Sequence, residues 1–426
     1  MNLKTKLRRI YDRFLELLEF NIFKLAVVIH LIYFTISLII FFMGGEVDFI
    51  VYYQAGNNFT SDILNLYTFP YLFPYRYLPL SALLFVPFAF LDYQISFVLF
   101  NVINLILNIL ICVMIYKLAS LFLEEKDKST EKRLVFLISI YLIGFPQLST
   151  YVLGQINLYV SLLLLTSLYI YLKYNSMKMQ LFGSILLGIS IIIKPITICM
   201  IPFLILIHFD LKSKKFTVEW KKTIIRLVGS LIPLMLNLIV FYLYPSLWEG
   251  FLNTNLTSEY TITANPSFSI TKLITNFLLL YDFPFEQIIV FLGVLLVIGG
   301  ISILTLILKK PGRDLMVFGY LLGIIVMLLS YFDSWDHHIV VLTPLLIIMI
   351  MNFPENSKLT RKYLKPGFLV VSFLNLIGFG VWILTQAFFP YNFVSTVFLL
   401  LVLFGMVKHV VSENLSSEEI ERERGV

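Results

Sequence analysis

Asp48 sits in the segment GGEVDFIVYYQAG, a few residues after the first long apolar run. Desolvation at the edge of such a run penalises a carboxylate and raises its pKa. That suits an acid whose task is to take a proton from an attacking hydroxyl. The plainer alternative is a solvated loop acid. Glu46 lies two residues earlier. Carboxylates at that spacing can share a divalent cation with a phosphate. A cation at Glu46 and Asp48 is thus the one cofactor the spacing allows. Such pairs are common, and the expected site contains no metal.

A reaction that expels a phosphate needs positive charge where the bond breaks. Three cations stand apart from the other basic residues: Arg76, Lys194 and Lys272. Arg76, in YLFPYRYLPL, has a guanidinium fork that can hold a phosphate through two hydrogen bonds. Lys194, in SIIIKPITI, lies between two uncharged apolar runs. Ionisable groups at membrane depth are costly and are candidates for function; the alternative is a side chain that snorkels to the interface. Lys272 reads as an interfacial anchor.

A third group is SWDHH, Ser334 to His338. Adjacent histidines on a helix point about 100° apart, so they do not readily share a metal. His337 or His338, near Asp333 or Asp336, could donate to a sugar hydroxyl or a phosphate. A polar helix cap with Trp335 in an interfacial aromatic belt is the alternative. Gln155 and Asn157 interrupt a long apolar run in YVLGQINLYV, where amides can bind sugar hydroxyls or tie helix to helix. Asn265 and Ser267 carry a weaker form of the same signal. His30, His208 and His409 read as structural, and Cys112 and Cys199 as buried thiols that form no disulfide.

These residues must be positioned by elements that live in lipid. Only 14% of the 426 residues are charged, 59% are hydrophobic, and the mean hydropathy is +0.89. A soluble domain carries about 25% charged residues, so a water-soluble fold is excluded. The net charge of +6 points to no nucleic-acid partner, because the charges lie between apolar runs. Uncharged runs cover 25–43, 77–91, 93–116, 134–172, 179–193, 195–209, 227–248, 287–308, 315–332, 339–354 and 366–407. A crossing helix needs about 20 residues, so the two longest runs are two spans each, broken at Gly154-Gln155 and at Pro390-Tyr391. Run 77–91 is expected to dip in without crossing, since an odd number of crossings must separate 44–76 from 117–133.

The spans predict an all-α integral membrane fold, a polytopic bundle of about 12 transmembrane helices with two long outer loops, 44–76 and 245–286. A cytoplasmic segment 1–24 precedes the domain 25–408, and a cytoplasmic tail 409–426 follows it, its end SSEEIERERGV frayed. With both termini in the cytoplasm, 29 of the 32 Lys and Arg fall inside, as the positive-inside rule asks. Arg76, Lys194 and Lys272 are the exceptions. Neither a P-loop nor a G-x-G-x-x-G motif is present, which disfavours a nucleotide-fed cytosolic reaction.

Several segments taken in order carry a resemblance: DFIVYYQAG, YRYLPLSALLFVPFAFL, GQINLY, LLGISIIIKPITICMIPFL, N-P-S in the second loop and SWDHHIVVLTP. From about 25 to 350 the chain resembles glycosyltransferase family 87 of the GT-C superfamily, typified by polyprenol-phosphate-mannose-dependent mannosyltransferases. The resemblance implies a hexose, mannose by type, moved from a polyprenyl-phosphate donor to a lipid or glycan acceptor on the outer face, with inversion. It matches Asp48 to the catalytic base and His337 or His338 to a late histidine of the site. The expected donor phosphate- and sugar-binding residues are Arg76, Tyr77, Gln155, Asn157, Lys194, His337 and His338. At Arg76-Tyr77-Leu78-Pro79 the chain departs from the pattern, which has a second proline. The competing reading is a polytopic transporter or flippase, although no internal repeat supports it.

Overall fold

The computed structural model describes residues 3–424 apart from 69, 124–126, 212, 258–266 and 386–390. The chain is overwhelmingly helical. Among the described residues six helices are long and apolar enough to cross a bilayer: Asn21–Phe42, Tyr93–Ala119, Lys128–Leu153 (bent at Gly144), Trp220–Leu243, Gln287–Leu308 and Val394–Leu415. At about 1.5 Å per residue each exceeds the ~30 Å hydrocarbon thickness. Several carry rows of exposed Leu, Ile and Phe, such as Leu25, Val28, Leu31 and Ile32. In water such a stripe would drive aggregation; in lipid it matches the solvent. The chain is thus a multi-pass membrane protein.

The helices that matter below are α1 (Leu3–Leu18), α2 (Asn21–Phe42), α3 (Phe49–Ser61), α4 (Val86–Ala89), α5 (Tyr93–Ala119), α6 (Lys128–Ile143), α7 (Phe145–Leu153), α8 (Asn157–Lys173), α9 (Met177–Ile193) and α10 (Trp220–Leu243). They continue as α11 (Pro245–Leu252), α12 (Ile270–Leu280), α13 (Gln287–Leu308), α14 (Leu315–Ser330), α15 (Ile339–Asn352), α16 (Lys365–Thr385) and α17 (Val394–Arg424). Helices α14 and α15 are buried on nearly every side. Apolar all round, they form the centre of the bundle, with α5, α6, α8 and α16 packed about α15. Helices α9 and α10 approach closely, because Gly188 faces Ser230 and Pro233 with no Cβ between them.

The expected break of run 134–172 falls at Gly154, which ends α7 in the left-handed conformation, φ 65° and ψ 49°. Run 77–91 is not a crossing helix. Pro79 opens a 3-10 segment, Pro79–Leu84, and Pro87 lies in the four-residue α4. The second long run divides between α16 and α17; Pro390 itself lies outside the described residues.

Other expectations need correction. The first outer loop is not loop throughout, since it folds as α3 and a 3-10 turn, Ile63–Leu66. The second contains α11 and α12. Run 195–209 is a 3-10 segment, Pro195–Leu204, followed by the strand β1 (Ile207–Asp210), which pairs antiparallel with β2 (Lys215–Val218). The fold is therefore not wholly α. Alternating side chains and the Phe209–Phe216 ring contact, 4.6 Å between centroids, favour a hairpin there. The stretch SSEEIERERGV, expected to fray, instead continues α17 as helix to Arg424. Glu413 pairs with Lys309 at 2.9 Å, and Asn414 Nδ2 donates to Leu308 O at 3.0 Å, which fastens the extension to α13.

The basic loops gather away from Asp48. The Arg13 guanidinium lies over the Tyr116 ring, Tyr116 donates to Glu131, and Arg133 donates to Ile350 O. Asp48, Arg76, Lys194 and His337 lie toward the other end of the bundle.

Candidate active site

Asp48 occupies the N-cap position of α3, yet its carboxylate makes no capping bond to that helix. It accepts a hydrogen bond from Gln155 Nε2 instead. Tyr52, one turn further along α3, donates to Gln155 Oε1 at 3.1 Å and shares a 2.7 Å bond with the Tyr77 hydroxyl. Tyr52 is fully buried, with its ring stacked on Phe85 at 4.8 Å. Burial raises the Asp48 pKa to about 6, against the opposing pull of the Gln155 hydrogen bond and the Lys194 charge.

Pro195 accounts for the place of Lys194. The residue before a proline is driven out of the α region; Lys194 is extended at φ −142° and ends α9. Its ammonium is buried and donates to Asn157 Oδ1. Arg76 follows Tyr75 in an irregular stretch before the 3-10 segment and forms an ion pair with Asp333. Trp335 Nε1 donates to the other carboxylate oxygen of Asp333 at 3.3 Å. His337 and His338 lie in a 3-10 turn, Asp336–His338, with their rings edge to face and 4.5 Å apart. His338 Nδ1 accepts the Trp335 backbone N–H at 3.1 Å. In the neutral ring its proton is therefore on Nε2. His337 Nδ1 is buried with no hydrogen-bond partner among the described residues.

These groups line one cavity of about 200 Å³. Its wall includes Glu46, Asp48, Arg76, Tyr77, Gln155, Lys194, His337 and His338. Of the expected site residues only Asn157 does not line it; Asn157 contacts Lys194 instead. The cavity wall also includes Tyr52, Asn255, Tyr331, Asp333 and Trp335. Tyr52 could have been found from its spacing of four from Asp48, which puts both on one helical face. Nothing in the sequence joins Asp333 to Arg76.

Glu46 is exposed at the cavity, and among the described residues no three His, Cys, Asp or Glu side chains gather as a metal site. Lys272 is not an interfacial anchor, because its side chain is 1% exposed within α12. Ser267 serves structure: its hydroxyl accepts the Ser334 N–H at 3.0 Å and so ties the second loop to the histidine segment. Asn265 lies outside the described residues. His30 is structural as expected, bonded to Leu142 O and the Tyr151 hydroxyl.

The model of glycosyltransferase family 87 matches residues 75–330, more than half of the chain. The protein belongs to glycosyltransferase family 87. No curated protein and no solved structure matches the chain. A family 87 chain with these apolar helices is a membrane glycosyltransferase, which favours transfer over transport. The family match contains Arg76, Tyr77, Gln155, Asn157 and Lys194. It begins after Asp48 and ends before His337 and His338, so these three join the site through their place in the cavity and not through the family match.

Proposed function

We propose that this family 87 protein moves a hexose, mannose by family type, from a polyprenyl-phosphate donor to a lipid or glycan acceptor on the outer face of the membrane, with inversion at the anomeric carbon. The observation that carries the reading is the meeting of a desolvated carboxylate, Asp48, and a buried ammonium, Lys194, in one cavity. Asp48 takes the proton of an acceptor hydroxyl. The oxygen forms a bond to C1 from the side opposite the phosphate, and the C1–O bond to phosphate breaks. Its electron pair leaves on polyprenyl phosphate, whose growing charge Lys194 and Arg76 offset. His337 Nδ1 and the N–H of His338 offer polar contacts for the sugar or the phosphate. No metal enters this scheme.

The orientation follows from charge. With about a dozen crossings, counting shorter apolar helices such as α8, α9, α14 and α15, the basic loops fall on the cytoplasmic side. The cavity and the donor's phosphate then share the outer face, and both termini are cytoplasmic. The test is Asp48→Asn in nanodiscs, with a radiolabelled polyprenyl-phosphate mannose donor and host lipid extract as acceptor. The variant is expected to bind donor and transfer no sugar. Unchanged transfer would overturn the role of Asp48. Labelling of a cysteine placed at Glu46 by a membrane-impermeant maleimide from the outside checks the face.

A further inference from the structure

Two hydrogen bonds leave a single turn for the two charged groups on which the reaction above depends. The turn is Gly154 to Asn157, between α7 and α8. Gln155 Nε2 donates to Asp48, and Asn157 Oδ1 accepts from the Lys194 ammonium. We propose that this turn is a positioning bracket, in which Gln155 orients the Asp48 carboxylate and Asn157 orients the Lys194 ammonium, and that neither amide binds sugar. The inference rests on the reading of Asp48 as base and Lys194 as counter-charge.

The turn is built for the task. Gln155 N–H closes on Thr150 O at 2.9 Å and Gly154 N–H on Tyr151 O at 3.1 Å. This is the Schellman termination of a helix, which requires a left-handed residue at the position of Gly154. A Cβ on Gly154 would meet Phe49 Cβ at 2.8 Å. Phe49 is the neighbour of Asp48, so the missing side chain is what lets the turn reach the base. Asn157 then begins α8, with its side chain bonded to Lys194.

The direction of each bond is also fixed. The Tyr77 hydroxyl bonds the Tyr52 hydroxyl, which donates to Gln155 Oε1. With its oxygen so engaged, the Gln155 amide can present only N–H to Asp48. Every donor in the chain points toward Oδ2 of the carboxylate, and such chains polarise cooperatively. Oδ1 accepts no hydrogen bond from the described residues, which leaves it for the acceptor hydroxyl. Asn157 holds Lys194 through a neutral oxygen, whereas the Arg76 charge is offset by Asp333.

The test compares Gln155→Leu, Gln155→Glu and Asn157→Leu in the nanodisc assay above, with donor binding measured separately on the labelled polyprenyl-phosphate mannose. Without its hydrogen bond Asp48 holds its proton more tightly. Gln155→Leu should then move the acidic limb of kcat/KM up by about one pH unit while donor Kd stays within about twofold. Gln155→Glu, of the same size and therefore the safer fold, sets a second carboxylate beside Asp48 and should move the limb further. Asn157→Leu should leave the limb in place and weaken binding of the labelled donor and of sugar-free polyprenyl phosphate alike, about fivefold. A limb unmoved by either Gln155 variant, or a rise in donor Kd as their main effect, would overturn the bracket and make Gln155 a sugar contact. An Asn157→Leu protein that binds both ligands normally, or that loses affinity only for the sugar-bearing one, would overturn the second arm. Full transfer by Asp48→Asn would instead overturn the underlying reading, so the two failures are distinguishable.

Discussion

Arg76 and Asp333 form an ion pair between segments far apart in the chain, and both side chains line the cavity. The guanidinium that could hold a donor phosphate is thus already held by a carboxylate. A phosphate must compete with Asp333 for it. Asp333→Asn removes the competing charge but keeps an oxygen for the Trp335 indole N–H. Donor binding is expected to tighten roughly three- to tenfold, equivalent to about 1 kcal/mol. Titration of the variant with labelled polyprenyl-phosphate mannose checks this. Weaker binding would instead mark Asp333 as the group that aims Arg76 at the phosphate.

Asp48 yields a paired prediction on pH and stability. A general base works only when ionised. With its pKa raised to about 6, kcat/KM should climb about tenfold per pH unit below that value and level off above it. The same shift runs the other way for the fold. The folded-state pKa lies above the unfolded value, so the protonated form contributes stability that is lost as pH rises through about 6. Asp48→Asn is uncharged at every pH and retains an oxygen for Gln155. It should abolish transfer and raise the thermal midpoint at pH 7.5. A lower midpoint would mean that the carboxylate charge stabilises the fold.

Much of the site could be read from residue type and place, because charge and amide groups are costly in an apolar run and so carry information. Asp48, Arg76, Gln155, Lys194, His337 and His338 stand out in the sequence and converge in space. The break at Gly154-Gln155 was legible from the same signal. The pairings were not. That Gln155 serves Asp48, or that Asp333 neutralises Arg76, depends on contacts between distant segments, which no local pattern encodes. Helix α3 was missed because a helix at the edge of a membrane protein needs no uncharged run of crossing length. The burial of Lys272 was missed because a lone cation before an apolar stretch reads equally well as an anchor. The β1–β2 hairpin was hidden because β1 closes an apolar run read as a span and β2 lies in the basic stretch after it, which was judged only by its charge.

Lys194 is expected to act on both the leaving group and the base. Lys194→Met keeps a long apolar stem in the buried site but removes the ammonium. Loss of one preorganised donor at a developing oxyanion costs roughly a hundred- to a thousandfold in kcat. The Lys194 charge also lowers the Asp48 pKa, so its removal should move the acidic limb of kcat/KM to higher pH. A rate loss with no movement of the limb would separate the two charges and place Lys194 out of reach of the base.

Gly154 links the fold to the chemistry most directly, and a pair of alanine variants isolates that link. At Gly154, alanine must adopt a left-handed conformation that costs about 1–2 kcal/mol. Its Cβ would also press on Phe49 Cβ at 2.8 Å and on the Phe97 ring at 3.1 Å. Gly293, within α13, has nothing within 4 Å of an added Cβ and no left-handed backbone. There alanine should be neutral or stabilise by up to about 1 kcal/mol through helix propensity. Gly154→Ala is therefore expected to lower the thermal midpoint in detergent and to reduce transfer more than the loss of folded protein explains, because the displaced turn carries Gln155 away from Asp48. Gly293→Ala should preserve both. Equal midpoints for the two variants would show that the α7–α8 turn tolerates a side chain, and that the approach of Gln155 to Asp48 does not depend on glycine.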